Sequence, residues 1–222
     1  MSTIDSNISE PHVAHQFDDA QQQFDAARLG MWIFLATEIL FFGGMFLAYT
    51  VGRVHDPAAF AEGSSHLQLI AGTVNTAVLL ISSFTMALAV RAAQMNQRKA
   101  TVRLLCATMI LGAIFLAIKS YEYAEKFADH HVPGKYFVLG EAHNPAVDPR
   151  HVELFFSLYF LMTGVHMIHM IIGMAVVGVI CFLASKGKYS ADYYTPVEIT
   201  GLYWHFVDIV WVFLFPLLYL IR

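Results

Sequence analysis

The sequence predicts an all-α integral membrane protein, a bundle of five transmembrane helices, and three observations carry that prediction. The composition is 57% hydrophobic and only 14% charged, with a mean hydropathy of +0.56, too little charge to keep a soluble domain of this size dispersed. Five apolar stretches are each long enough to cross about 30 Å of hydrocarbon. The segments between them are polar and rich in turn-forming residues. The spans must be helices, because open strands leave backbone groups unsatisfied in lipid.

The first 27 residues, MSTIDSNISEPHVAHQFDDAQQQFDAA, are polar and acidic, with no apolar core of the signal-peptide kind. They read as a tail, mobile or docked on a partner, ahead of one membrane domain over 28–222. The spans then run from Leu29 to Gly52, Leu67 to Val90, Leu104 to Ala124, Leu154 to Ser185 and Ile199 to Ile221. The fourth has no charged residue between Glu153 and Lys186, so it must tilt or extend beyond the bilayer. The longest connection, Glu125 to Glu153, carries Pro133-Gly134, Asn144-Pro145 and Asp148-Pro149, which make turns. Its apolar piece, Tyr136 to Leu139, is expected to pack against something outside the membrane.

Loop charge sets the expected orientation. Arg91, Arg98, Lys99 and Arg103 flank or fill the connection between the second and third spans without an acid, and Arg28, Lys186 and Lys188 fall on the same side. The opposite side dilutes its bases with Asp56, Glu62, Asp129, Glu141 and Asp148. The positive-inside rule then puts the N-terminus in the cytoplasm and the C-terminus outside. A formal charge of -4 offers no basic face for nucleic acid. The two cysteines, Cys106 and Cys181, both lie in apolar spans and read as small core residues, with no disulfide or CxxC redox motif.

Small and hydroxyl residues mark where helices should meet. Thr73, Asn75, Thr76, Ser82, Ser83 and Thr85 interrupt the second span, and Gly43-Gly44, Gly164 and Gly173 are further candidates for close approach.

The titratable groups inside the spans are harder to explain by packing alone, since a carboxylate at membrane depth costs a few kcal/mol even on lenient scales. Glu38 lies about 15 Å along the first span, near mid-bilayer. It reads either as a proton-exchanging acid or as a protonated carboxyl donating one interhelical hydrogen bond. His205 and Asp208 are one turn apart on the last span and could share a proton or hold each other in place. His166 and His169 share a face with Thr163; metal or haem ligation with His205 competes with hydrogen-bonded helix packing, which an (i, i+3) pair suits better. Glu198 stands at the entrance of the last helix, where it complements the positive dipole end. Lys119 and Glu122 close the third span, with Lys119 expected to snorkel to the interface as an anchor. Arg28 precedes the first span at the depth of a lipid phosphate.

These residues fall in recognisable motifs: RLGMWIFLATEILFF, NTAVLLISS, the KSYEY end of the third span, TGVHMIHMIIG and YWHFVDIVWVFLF. In that order, touching all five spans, they resemble subunit III of the haem-copper oxidases, the cytochrome c and quinol oxidases of respiratory membranes. The resemblance implies that Glu38 matches the family's carbodiimide-reactive carboxyl and Arg28 a phospholipid-contacting arginine. Glu198, His205 and Asp208 fall on its final-helix pattern. It also implies a chain that binds no haem, copper or other metal, since these belong to partner subunits. Expected partners are subunit I, subunit II and phospholipid, in a bacterial cytoplasmic membrane. The implied role is accessory and without catalytic residues of its own: lipid binding, support of proton uptake and protection of subunit I during turnover. Longer family members have seven spans, and the two missing here form one side of the lipid cleft; the family's basic residue after the fourth span is matched only loosely, by Lys186. Three other readings compete: an accessory subunit of nitric oxide reductase, an independent proton transporter using Glu38 and Asp208, and a membrane haem protein using His166 or His205.

Overall fold

The computed structural model describes residues 16–135, 137–139, 147–191 and 193–221. It is built from α1 (Ala20–His55), α2 (Pro57–Ser65), α3 (Leu69–Gln94), α4 (Arg98–Ala128), α5 (Pro149–Ser185) and α6 (Thr195–Tyr219). All but α2 are long and apolar enough to span a membrane. No strand occurs among the described residues, and Ser190 and Tyr193 form an isolated bridge before α6.

The helix ends follow local chemistry. Asp19 caps α1, its carboxylate accepting from the Gln22 N–H at 2.6 Å, so the helix begins inside the polar tail; residues 1–15 lie outside the described residues. Asp56 caps α2 in the same way, accepting from the Ala59 N–H at 3.1 Å ahead of Pro57, the arrangement an Asp-Pro pair favours. The link between the first two spans is therefore itself helical. Asp148 caps α5 ahead of Pro149, and α5 is 37 residues long. At ~1.5 Å per residue it outruns a hydrocarbon core of about 30 Å, as the long uncharged stretch requires. Helices α3 and α4 are joined by a tight turn in which Asn96 takes φ 56°, a left-handed conformation that asparagine tolerates.

Helix α6 is the centre of the bundle and packs on α1, α2, α3 and α5. Its Trp204, Trp211, Leu214 and Leu218 are buried. The α3 hydroxyls meet it as expected: Trp204 Nε1 donates to Ser82 Oγ at 3.0 Å and Trp211 Nε1 to Thr76 Oγ1 at 3.1 Å. Thr85 turns instead to Thr108 on α4, at 2.8 Å. Of the predicted glycine contacts, Gly173 is a close approach, where a Cβ would sit 3.1 Å from the Tyr203 ring and 3.3 Å from Trp204. Gly164 is looser, and Gly43 and Gly44 face open space on α1, so that pair makes no helix contact. Their helix is peripheral; Leu29, Ile39, Leu40, Leu47 and Val54 are exposed on it.

Two further expectations change. Cys181 is buried, but Cys106 is exposed on the outer face of α4 rather than in the core. Phe137 packs on this chain's own Phe156, ring centroids 5.9 Å apart, and with Leu139 joins the core. Tyr136 and the Asn144-Pro145 turn lie outside the described residues.

Candidate functional site

Glu38 on α1 and His169 on α5 meet across the helix interface, Oε2 to Nε2 at 3.2 Å, and both side chains are mostly shielded. His169 Nδ1 lies 2.9 Å from the Val165 carbonyl oxygen. A carbonyl only accepts, so Nδ1 carries a hydrogen. Nε2 then faces the Glu38 carboxyl, and a hydrogen bond between them takes one of two forms. Either a protonated Glu38 donates to a neutral imidazole, or an imidazolium donates to a carboxylate. Tyr203 steadies the turn by donating to the His169 carbonyl at 3.0 Å, and Phe42 packs its edge on the imidazole.

The other intramembrane histidines go elsewhere. His166 is fully buried between Phe115 and Trp211, ring centroids 5.6 and 5.2 Å away. Neither of its nitrogens has a hydrogen-bond partner among the described residues, so the hydrogen-bonded packing role fits His169 and not His166. His205 Nδ1 lies 2.7 Å from Ser83 Oγ on α3. Asp208 is buried, and neither carboxylate oxygen has a hydrogen-bond partner among the described residues. The direct His205–Asp208 bond that their spacing suggests is not made. His166, His169 and His205 thus sit in three separate surroundings. Among the described residues no three His, Cys, Asp or Glu side chains converge as a metal site would require.

Arg28 lies within α1, exposed, with its guanidinium 5.2 Å from the Phe24 ring centroid. One turn further on begins an apolar cleft of about 520 Å³ between α1 and α6, walled by Trp32, Leu35, Phe42, Phe46, Phe206 and Phe213 and reaching His205. Glu198 occupies the first turn of α6, where its charge complements the helix dipole.

Lys119 overturns its expectation. It does not snorkel; it is fully buried with Glu122. Lys119 Nζ donates to Glu122 Oε2 at 3.0 Å, to Tyr159 Oη at 3.1 Å and to Tyr219 Oη at 2.8 Å, using all three of its hydrogens. Both tyrosines in turn donate to Glu122 Oε1, at 2.9 and 2.5 Å. This closed set ties α4, α5 and α6 together. The (i, i+3) spacing in KSYEY signals the ion pair, but nothing local marks Tyr159 or Tyr219 as its partners.

Five helices long and apolar enough to cross a membrane, with a Glu–His pair between α1 and α5 and an ion pair buried in the core, define a membrane-embedded helical bundle. The sequence matches the Cytochrome c oxidase subunit III family over residues 12–140 and 150–221. It is similar to cytochrome c oxidase subunit 3 of Thermostichus vulcanus, 32% identical over 219 residues and 98% of each chain. It is 31% identical to a probable quinol oxidase subunit 3 of Staphylococcus epidermidis over 95% of this chain and 96% of the relative. It is 29% identical to the cytochrome bo(3) ubiquinol oxidase subunit 3 of Pseudomonas aeruginosa over 99% of this chain and 98% of the relative. The chain belongs to the subunit III family of the haem-copper oxidases, as an accessory subunit of a membrane-embedded oxidase complex.

Proposed function

We propose that this subunit acts on its oxidase indirectly, by proton exchange at Glu38 and by holding phospholipid beside the catalytic subunit I. The Glu38–His169 pair carries the proposal, because it sets a carboxyl within hydrogen-bond reach of an imidazole on the helix least covered by the rest of the chain. A carboxylate so placed in lipid is a functional-site candidate by default. Arg28 at one end of the α1–α6 cleft supports the lipid half: a phosphate at the guanidinium would leave an acyl chain to follow the apolar wall. The partners in this reading are subunits I and II, which hold the haem and copper; this chain binds neither. The basic residues at the ends of α3, α4 and α5 support an orientation with the N-terminus in the cytoplasm of a bacterial cell and the C-terminus outside.

The test is Glu38→Ala in the assembled oxidase, with initial rate, proton uptake and activity lifetime measured together. The expected variant assembles, starts at close to the normal rate, and loses proton uptake or inactivates sooner. An assembled variant with normal uptake and lifetime would remove the functional role.

A further inference from the structure

The chain has two cysteines, and the fold brings them together. Cys106 of α4 and Cys181 of α5 have their sulfurs 3.5 Å apart. We propose that they are a modification site, a dithiol that a hydroperoxide converts into an intrachain disulfide between α4 and α5.

The geometry assigns the two sulfurs different parts. Cys106 is exposed and Cys181 is buried, so an oxidant reaches Cys106 first. A cavity of about 700 Å³ lies at this end of the bundle, lined by Arg98, Lys99, Val102, Arg103 and Ser185. Val102 is both a wall of that cavity and the residue whose carbonyl oxygen lies 3.8 Å from Cys181 Sγ. The thiolate is the nucleophile in such chemistry, and Cys106 is the sulfur that an oxidant can reach.

The steps balance. The Cys106 thiolate attacks one oxygen of the hydroperoxide ROOH, breaking the O–O bond; Cys106 becomes a sulfenic acid, and the alkoxide takes the thiol proton to leave as ROH. Cys181 sulfur then attacks Cys106 sulfur, the S–S bond forms, and the sulfenic hydroxyl departs with the Cys181 proton as water. Two electrons pass from the dithiol to the peroxide. The sulfurs close from 3.5 Å to about 2.05 Å, between helices already joined at this end by the Arg98 Nη2 to Ser185 carbonyl hydrogen bond.

Membranes holding the assembled complex are treated with tert-butyl hydroperoxide, denatured in N-ethylmaleimide, and the intact mass of this chain is read. The expected product is monomeric, lighter by two hydrogens and free of maleimide, with dithiothreitol restoring two labelled thiols. Cys181→Ser should stop at a Cys106 sulfenic acid that dimedone traps, and Cys106→Ser should leave Cys181 as a maleimide-reactive thiol. Two free thiols in the oxidised wild type, a disulfide to another chain, or a dimedone adduct on Cys181 in Cys106→Ser would each overturn the proposal. The wild-type mass decides the central claim even if neither variant assembles.

Discussion

Glu38 Oε2 stands 3.2 Å from His169 Nε2 while His169 Nδ1 points at the Val165 carbonyl, 2.9 Å away. The backbone carbonyl fixes which nitrogen is always protonated. Nε2 is thus the nitrogen that faces the carboxyl. In either proton arrangement the pair is neutral overall, which limits the burden of placing two ionisable groups at membrane depth.

Nitrogen NMR of selectively labelled His169 tests this arrangement. Nδ1 should show a bonded proton throughout about pH 6 to 8, whatever Nε2 does. An unprotonated Nδ1 anywhere in that range would sink the shared-proton reading. In Glu38→Gln the amide can donate to Nε2, which leaves Nδ1 as the nitrogen that carries the hydrogen.

The buried ion pair makes a sharper energetic prediction. Lys119→Met leaves Glu122 with two tyrosine hydroxyls and no cation, fully buried. Removing one partner of a buried pair costs about 3–5 kcal/mol, so this variant should unfold much earlier in a thermal or denaturant titration in detergent. Replacing both residues with apolar ones of similar size should recover much of the loss. A double variant as unstable as the single one would mean that the tyrosine bonds, and not the unpaired charge, dominate.

The contrast between these two sites shows what sequence pattern can and cannot reveal. Five spans were legible because hydropathy acts over a whole helix, and Glu38 stood out because it is the sole charge in its run. Span ends were not, since caps such as Asp19 and Asp56 carry helices well past the apolar stretch. The depth of Lys119 is not readable locally, because it depends on Tyr159 and Tyr219, which are 40 and 100 residues away in the chain. His205 and Asp208 were paired by spacing alone, whereas Ser83, 122 residues from His205, takes the histidine. Gly43-Gly44 looked like a helix contact, but which face a peripheral helix turns inward is set by its neighbours.

That last difference predicts opposite outcomes for two glycine substitutions. At Gly44 an added methyl meets open space, and alanine is the better helix former by about 1 kcal/mol. Gly44→Ala should be neutral or slightly stabilising. Gly173→Ala must fit a methyl 3.1 Å from Tyr203 and 3.3 Å from Trp204, and overpacking of this kind costs about 1–3 kcal/mol. It should lower thermal stability and weaken the Trp204–Ser82 hydrogen bond. Equal effects at the two sites would contradict the packing of α5 on α6.

Acid should loosen the end of the bundle that holds α2 and the start of α5. The His151 hydrogen bond, with backbone N–H groups, holds the Asp56 carboxyl below its ordinary value. Its contribution is present above the unfolded carboxylate value and is lost as pH falls through the lower folded one. Burial pushes His131 below the usual histidine value, with the charges of His66 and Lys126 adding to it and Asp129 opposing. The folded state then binds fewer protons than the unfolded one, so stability falls as pH drops below about 6.5, until the folded value is passed. Both groups act in the same direction, the histidine first. Hydrogen exchange of the 129–138 segment should therefore speed up as pH falls from about 7 to 5, after correction for intrinsic rates. His131 stacks flat on Phe156, centroids 5.2 Å apart, so His131→Phe can keep that contact without a titratable ring. That variant should flatten the response, and Asp56→Asn should leave this upper window in place while removing the step at carboxylate pH. An unchanged pH response in His131→Phe would show that His131 is not the source of the window.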